Sequence, residues 1–527
     1  MKYKVLGFLY ILCVFPATFH AQISIPHHAA DDVGHVMSDL YWSLWNDSVQ
    51  NKIDADIDRY RRADAFISLP CVKKGTKLHV QQPTSDFYFG AHTLNYDQLG
   101  SKVCNDRYKE HFGTHFNSAT VPFYWHDFEP VRGQPRFAET ENDTEAFWNS
   151  NDDPASEPKW RRPCTDKIVE WCKCRSEREH GHPLMWPCSI GIPDWLFDDI
   201  VPADERADFD RIKKNYKTTP ATTIEALLPG TARNFEAAME KRIHEICRRY
   251  YGMIDSWDIV NESVSDFDNG ELIPGSILCK STRYGFIMPG DYVYKTFLLA
   301  QQSLPEKTWF NLNDNAETCI NYHGGIMAYV HQATDMLSRG CKVDVIGVQM
   351  HIFDPKRATA MADGKNAIHS PEYIHKWYDK LALLDLPIHL SEITIPSPDD
   401  SERGYMIQAI LARNLYRMWF SLEHMSGITW WNTVDGCGLN GEPSISGIFG
   451  PRHVALGPHT MRWRNSSCTS GAPTRPSRPT AMATSHSVVS KANTSSLGPT
   501  KRGSIAWSTM WNDKKRTTVF QLQSHEK

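Results

Sequence analysis

Two glutamates associated with apolar runs are the residues of this sequence best placed to do chemistry together. Glu262 follows the run at residues 257–261, and Glu392 lies within the run at residues 389–395. Two carboxyl groups that face each other can act as acid and nucleophile on a glycosidic bond. One glutamate at a strand end is weak evidence, since most such side chains are solvated or paired. The pair is better evidence, and Asn261 beside Glu262 strengthens it.

Eight short apolar runs predict the strands that would hold these glutamates. They alternate with helical segments, which is typical of a parallel sheet covered on both faces. Eight such units predict an α/β fold, the (β/α)8 or TIM barrel, over residues 86–457. Chemistry in that fold lies at the C-terminal strand ends, so strand ends four and seven are expected to face each other across the mouth. The predicted strands are residues 87–91, 118–123, 183–186, 256–261, 308–313, 343–350, 387–393 and 427–432. The clearest predicted helices are residues 166–177, 235–250, 328–339, 371–384 and 405–423.

The N-terminal segment predicts an export signal and a small cap. Residues 1–21 have a short basic start and an apolar stretch, which is typical of a signal peptide. Residues 22–85 predict a cap made of one helix over residues 39–65 and two strands, residues 65–71 and 76–81. We therefore expect a secreted or periplasmic protein whose cap packs on the outside of the barrel.

Two further segments lack the barrel pattern. Residues 139–160 are polar and acidic without periodicity, which predicts a surface insertion. Residues 458–527 are basic and rich in Ser and Thr, which predicts an irregular tail of low order. Such a tail is either a linker to a surface or partner, or the product of a shifted reading frame.

Composition limits the other partners. The 57 Lys and Arg against 62 Asp and Glu leave a formal charge of −5, which argues against a nucleic-acid binder. No segment has about 20 consecutive apolar residues, so we expect a soluble protein without a membrane span. We also expect the protein to be a monomer. The 13 Cys do not form a dense framework, and free thiols or one or two local disulfides are favoured over a metal site. We expect neither a metal nor another cofactor.

Six motifs in chain order resemble glycoside hydrolase family 10, the xylanase family. The resemblance as a whole runs from about residue 86 to 452 and covers all eight predicted strands, so the chain is identified as a divergent member. The matching segments are residues 181–186 for G-H-T-L-V-W, 257–262 for W-D-V-V-N-E, 313–314 for N-D, 347–351 for G-I-G-x-Q-x-H, 389–395 for the I-T-E-L-D strand and 430–431 for F-W.

The resemblance implies a role for each site residue. Glu262 would be the acid/base and Glu392 the nucleophile of a retaining enzyme that cleaves β-1,4-xylosidic bonds in xylan-like polysaccharides or oligosaccharides. For Asn313 and Asp314, support of the site is favoured over direct contact. The implied substrate-binding residues are Asn261 for the sugar 2-OH, His182 for the glycone sugar, Gln349 for a polar contact, His351 for orienting Glu392, and Trp431 for stacking.

The sequence departs from the family pattern where the family grips the glycone sugars. Strand two lacks the family's Asn and Lys, Pro187 stands in place of a second His, and residues 438–440 replace S-W-R. The nearby Tyr124, Trp125 and His126 are candidates to replace that grip. These departures favour a changed glycan preference. The alternatives left open are an inactive carbohydrate-binding relative, a β-glycosidase with another preference, and a transglycosylase.

Overall fold

The computed structural model contains a closed barrel of eight parallel strands, as the sequence predicts. Each strand pairs in parallel with its neighbours, and the last strand pairs with the first, which closes the ring. The strands are β1 (Tyr88–His92), β2 (Ser118–Pro122), β3 (Arg178–His182), β4 (Ser256–Asn261), β5 (Trp309–Asn315), β6 (Val345–His351), β7 (Ile388–Thr394) and β8 (Met425–Trp430).

The structure describes most of the barrel and part of its surroundings. The described residues are 25–68, 85–175, 177–188, 190–264, 267–268, 271–272, 291–315, 326–366, 369–439, 441–449, 484–490 and 517–521. The predicted signal peptide of residues 1–21 lies outside them and stays a prediction. Among these residues, no helix combines the length and apolar character needed to cross a membrane.

Seven helices connect successive strands and cover the barrel. They are α1 (Lys102–His115), α2 (Thr165–Arg175), α3 (Pro229–Arg249), α4 (Tyr292–Ser303), α5 (Ile326–Ser338), α6 (Pro371–Leu381) and α7 (Glu402–Ser421). Shorter helices in the connections are Trp125–Phe128, Glu145–Asn149, Leu196–Ile200, Arg206–Asn215, Ala221–Leu227 and Pro355–Ala362. The five predicted helices correspond to α2, α3, α5, α6 and α7.

The position predicted for the third strand is wrong. The apolar run at residues 183–186 follows the strand, and β3 is formed by the polar segment Arg178–His182. The inward side chains of this segment, His180 and His182, are buried in a polar layer of the barrel, which an apolar pattern cannot reveal. The run at residues 183–186 still touches the sheet, because Met185 forms an isolated parallel bridge with Val260.

The N-terminal cap contains two helices where the sequence analysis predicts one. Asp39–Leu44 and Asp47–Arg61 are separated at Asn46, whose side chain accepts the Val49 amide at 3.1 Å and so begins the second helix. Both helices pack on α7: Gln50 donates to Asn414 at 3.3 Å, and Asn414 donates to the Tyr41 hydroxyl at 2.8 Å.

A small outer sheet follows the cap. The strand Arg62–Ser68 pairs antiparallel with Thr484–Ser490 and parallel with Thr517–Gln521. The hairpin partner predicted at residues 76–81 lies outside the described residues. Apart from these two strands, the predicted tail at residues 458–527 lies outside them as well.

A buried ion pair lies inside the connection between β2 and α2. Arg136 donates to Asp143 at 2.6 Å, and Trp148 donates its indole N–H to the other oxygen of Asp143 at 3.1 Å. Asp143 and Trp148 are both buried, so part of the segment predicted as a surface insertion, residues 139–160, packs inside the protein. In this neighbourhood Cys164, Cys172 and Cys174 are not in disulfides.

Candidate active site

All seven site residues proposed from the sequence meet at the C-terminal end of the barrel. The central contact is made by Gln349, whose amide nitrogen donates to Glu262 Oε1 at 3.0 Å and to Glu392 Oε1 at 3.1 Å. These two oxygens therefore lie at most about 6 Å apart, an upper bound compatible with the separation of about 5–5.5 Å typical of retaining glycosidases. The remaining four residues around this pair are Asn261, His182, His351 and Trp431.

Donors from three other strands surround Glu392, which is only 5% exposed. Asn313 of β5 donates its amide N–H to Glu392 Oε1 at 3.1 Å. The Nε2 atom of His351 lies 3.2 Å from Oε2, and that of His182 lies 3.6 Å from Oε1. A carboxylate that faces so many donors is held in one orientation, as attack on a single carbon atom requires.

Glu262 lies at the end of β4 in a strained backbone conformation. Its φ is 55°, in the left-handed region that non-glycine residues rarely occupy, and its amide donates to the Asn313 carbonyl at 2.8 Å. Trp186 donates its indole N–H to Glu262 Oε2 at 3.0 Å. Burial, and then the charge of Glu392, raise the pKa of Glu262. A raised pKa keeps a carboxylic acid protonated and able to donate a proton near neutral pH.

An amide network links Asn261 to both carboxyl groups. Its Oδ1 accepts from Asn313 at 2.8 Å and from Gln349 at 3.2 Å. Both donors also reach Glu392, so the three amides form one connected unit. With Oδ1 engaged in this way, the Nδ2 donor of Asn261 is the group oriented for another acceptor, such as a sugar hydroxyl. Asn313 thus takes part directly in holding the nucleophile candidate, while Asp314 accepts the Val264 amide at 2.8 Å and supports the strand end.

A buried histidine pair lies beneath Glu392. Asp258 Oδ2 is 2.7 Å from His182 Nδ1 and 3.0 Å from His180 Nε2. Burial alone would raise the pKa of Asp258, but the charges and hydrogen bonds of the two histidines lower it. Burial likewise opposes charge on His182, yet Glu392 and Asp258 outweigh it and raise the pKa of His182. The raised pKa favours the protonated form of His182, whose Nε2 lies 3.6 Å from Glu392 Oε1.

Aromatic rings and imidazoles form the opposite wall of the site. The Trp431 ring lies 4.7 Å from that of His92, 5.6 Å from that of His351 and 6.1 Å from that of His182, in edge-to-face contacts. The Tyr124 ring lies 5.4 Å from that of His182 and 5.9 Å from that of Trp186. Burial, and then the charge of His182, hold the pKa of His92 well below its usual range, so this ring is neutral.

A buried ion pair locks Trp431 into this wall. Glu442 accepts the Trp431 indole N–H at 2.9 Å, and its other oxygen accepts Arg161 at 2.7 Å. Arg161 is 1% exposed and also donates to Asn432 at 2.7 Å. Burial alone would raise the pKa of Glu442, but the Arg161 charge, the Leu439 amide and Trp431 lower it to about 2. We call Arg161, Glu442 and Asn432 the latch.

Of the three candidates to replace the glycone grip, one lies in the site. Tyr124 is part of the aromatic wall, and the Arg162 guanidinium lies 4.5 Å from its ring centroid. Trp125 is buried, with the Arg242 guanidinium 5.1 Å from its ring centroid, and its indole N–H donates to Glu129 at 3.0 Å. His126 Nδ1 lies 2.6 Å from Oδ1 of the adjacent residue, Asp127.

Sequence reasoning missed several residues that complete the site. Asp258 had a signal, because it lies inside the run that ends in Glu262. Trp186 had one too, because it ends the motif that begins beside His182. The latch had none, since Arg161 and Glu442 are 281 positions apart and neither belongs to a recognisable motif. Within the described residues, no group of three or more Asp, Glu, His or Cys is arranged to hold a metal ion.

Comparisons with known proteins identify the relatives of this chain. The sequence model of Glycosyl hydrolase family 10 matches residues 84–442 of this chain. Endo-1,4-beta-xylanase A of Xylanibacter ruminicola is 25% identical over 186 residues, which are 35% of this chain and 40% of that protein. The Endo-1,4-beta-xylanase/feruloyl esterase of the same species is 21% identical over 328 residues, 57% of this chain and 39% of that protein. The match thus spans about two-fifths of the length of each of these two relatives. The native xylanase 10B from Thermotoga maritima is 18% identical with a TM-score of 0.48, and the match covers 72% of this chain and 94% of that one.

Proposed function

Because the chain belongs to glycosyl hydrolase family 10, we propose that it is a retaining glycoside hydrolase that cleaves β-1,4-xylosidic bonds in xylan-type polysaccharides. The observation that carries the proposal is the Gln349 bridge, which ties Glu262 and Glu392 together within about 6 Å. The curated xylanases that the chain resembles support the same substrate class.

In the first step, Glu262 acts as general acid and Glu392 as nucleophile. Glu262 protonates the glycosidic oxygen while Glu392 attacks the anomeric carbon, which gives a glycosyl ester and releases the leaving group. Asn261 donates to the 2-OH of the bound sugar, a contact that tightens in the transition state. Trp431 forms the apolar wall against which the sugar ring stacks.

In the second step, Glu262 acts as general base towards water. Once Glu392 is esterified, its negative charge is gone, and one of the causes that raise the pKa of Glu262 disappears with it. The pKa of Glu262 then falls, which suits an ionised base that takes a proton from the attacking water. The sugar leaves with its original anomeric configuration.

The wall around Tyr124 supports a glycan preference different from that of a typical family xylanase. Strand two carries no Asn or Lys, and the space next to His182 is occupied by Tyr124 with Arg162 over its ring. We propose weaker binding of the glycone sugars and retained chemistry, because Glu262, Glu392 and their amide partners are all in place.

The mechanism is tested by the configuration of the first product. Proton NMR during hydrolysis of an aryl β-xylobioside should show the β-anomer appearing before mutarotation. A 2-deoxy-2-fluoro β-xylobioside with a good leaving group should label one peptide, the one that contains Glu392. An α-anomer as first product would overturn the retaining mechanism.

Substrate preference is tested with a panel of xylan, arabinoxylan, glucuronoxylan and β-glucan, with product lengths separating endo from exo action. A purely carbohydrate-binding relative would bind one of these glycans without turnover in either the wild type or Glu392→Ala. Efficient cleavage of unmodified xylan with tight glycone binding would contradict the inferred change in preference.

A further inference from the structure

The partner of His351 on the side away from the nucleophile is a hydroxyl group. Thr394, in β7, lies opposite His351 in the pairing of β6 with β7. Its Oγ1 is 2.8 Å from His351 Nδ1, while His351 Nε2 is 3.2 Å from Glu392 Oε2. Thr394 is fully buried and His351 is nearly so. One imidazole therefore connects a hydroxyl to the reacting carboxylate.

If the imidazole of His351 is neutral, only one placement of the protons satisfies both of its contacts, to Glu392 and to Thr394. An ionised carboxylate only accepts, so His351 Nε2 must carry the proton that points at Glu392. A neutral imidazole has one N–H, so Nδ1 is then an acceptor, and the Thr394 hydroxyl must donate to it. We propose that Thr394 is a positioning residue that fixes His351 in the neutral Nε2–H tautomer. The kinetic part of the proposal rests on the function proposed above.

The residue type at position 394 decides the charge next to the nucleophile. The strand pattern I-T-E-L-D carries Asp two residues after its Glu, where this chain has Thr394. A carboxylate there could only accept, so it would require N–H on both ring nitrogens and turn His351 into an imidazolium. With Thr394 as the donor to Nδ1, the Oε2 side of Glu392 faces the Nε2–H of the proposed tautomer, while His182 lies 3.6 Å from Oε1.

The other groups around His351 leave Thr394 as its partner at Nδ1. Phe353 stacks on the imidazole at 4.3 Å and Trp431 meets it edge to face at 5.6 Å, and neither ring titrates. The titratable groups that act on the same region are Glu392, Glu262 and His182.

Nitrogen-15 NMR of the full chain labelled in its histidines measures the tautomer directly, with the His351 signals assigned by their loss in His351→Gln. We expect Nε2 protonated and Nδ1 unprotonated across the pH range of activity. Thr394→Asp should protonate both nitrogens and move the acidic limb of the pH–rate profile to lower pH. Protonated Nδ1 in the wild type would overturn the proposal, whether or not the protein hydrolyses xylan.

Kinetics then separate positioning from folding. Thr394→Val keeps the shape of the side chain but loses the donor, and we expect kcat to fall about 10-fold with KM unchanged, while Thr394→Ser restores it. The matched control is Thr429→Val, which removes a threonine–histidine bond of 2.8 Å to His389 deeper in the barrel. Equal kcat in Thr394→Val and the wild type, or the same loss in both valine variants, would contradict the proposal.

Discussion

The two sides of the site are stabilised in different ways. On the side of β4 to β7, three amide side chains connect Glu262 and Glu392 through short hydrogen bonds. On the side of β1 to β3 and β8, rings contact one another and a buried ion pair holds the largest of them, Trp431. The first side fixes reacting atoms, whereas the second shapes a surface.

This difference explains why the first side follows a sequence pattern and the second does not. The Gln349 amide nitrogen lies within 3.2 Å of two carboxyl oxygens and one amide oxygen, and few other side chains could take its place, so its residue type and position are constrained. A wall of rings can be assembled from several aromatic residues and held from several directions. We therefore expect variants on the first side to change the rate of the chemical step, and variants on the second to change binding and stability.

The largest effect should come from removing the proposed nucleophile. Glu392→Ala should lower kcat by at least about 10⁴-fold, because no covalent intermediate can form. Added azide should restore part of the turnover and give the α-glycosyl azide, since the small anion can occupy the vacated space. Circular dichroism serves as the control for folding. Residual activity within tenfold of the wild type would mean that another group attacks the sugar.

Removing the acid should have a smaller effect that depends on the leaving group. Glu262→Gln should lower the rate by about 10²–10⁴-fold on xylan, whose leaving group needs a proton. The loss in kcat/KM, which reports the first step only, should be much smaller with dinitrophenyl xylobioside, whose leaving group needs no proton. Its kcat should still fall, because Glu262 is also the base of the second step. An equal loss in kcat/KM on both substrates would show that Glu262 supports the fold or binding instead of transferring a proton.

Breaking the latch should affect the other side of the site. Arg161→Met leaves the Glu442 carboxylate buried without its cation, which should cost about 3–5 kcal/mol in the free energy of unfolding. KM should rise more than kcat falls, because Trp431 loses its anchor. The double variant Arg161→Met/Glu442→Gln should recover part of the stability, as measured by urea unfolding. A fall in kcat alone would contradict the division between the two sides.

The same ion pair predicts a dependence of stability on pH. The pKa of Glu442 is about 2 in the folded chain, against about 4.3 for an unperturbed glutamate in the unfolded chain. Its stabilisation is therefore complete above about pH 4.3 and is lost as the pH falls towards 2. The free energy of unfolding of the wild type should therefore lose the contribution of Glu442 between these two pH values. The Glu442→Gln variant should not show this loss.

The smallest effect concerns the acid itself. The Trp186 indole N–H favours the ionised form of Glu262, so Trp186→Phe should raise the pKa of Glu262 further. The basic limb of the pH–rate profile, where Glu262 loses its proton, should move to higher pH. Trp195→Phe is the matched control, because its indole donates to the Glu129 carbonyl at 2.7 Å. A basic limb that stays in place would contradict the assignment of Glu262 to that limb.

The sequence predicted those parts of the molecule that follow a local pattern. Apolar runs located seven strands, and Glu262 and Glu392, which were expected to face each other, both contact Gln349 in the structure. The third strand was misplaced because His180 and His182 face a polar interior. The latch was missed because an ion pair that closes over 281 positions leaves no local trace. The break between the two cap helices depends on one capping side chain, Asn46, inside an otherwise continuous apolar pattern.

The left-handed backbone conformation at Glu262 lowers the stability of the protein. A glutamate at φ 55° costs of order 1 kcal/mol or more that a glycine would not. Glu262→Gly should therefore abolish proton transfer and yet relax the backbone, whereas a β-branched replacement would add to the strain. If a relative of this chain gave up catalysis and kept the barrel as a binding module, drift at this position would favour glycine or asparagine. The residue at this one position would thus indicate whether selection acts on turnover or only on the fold.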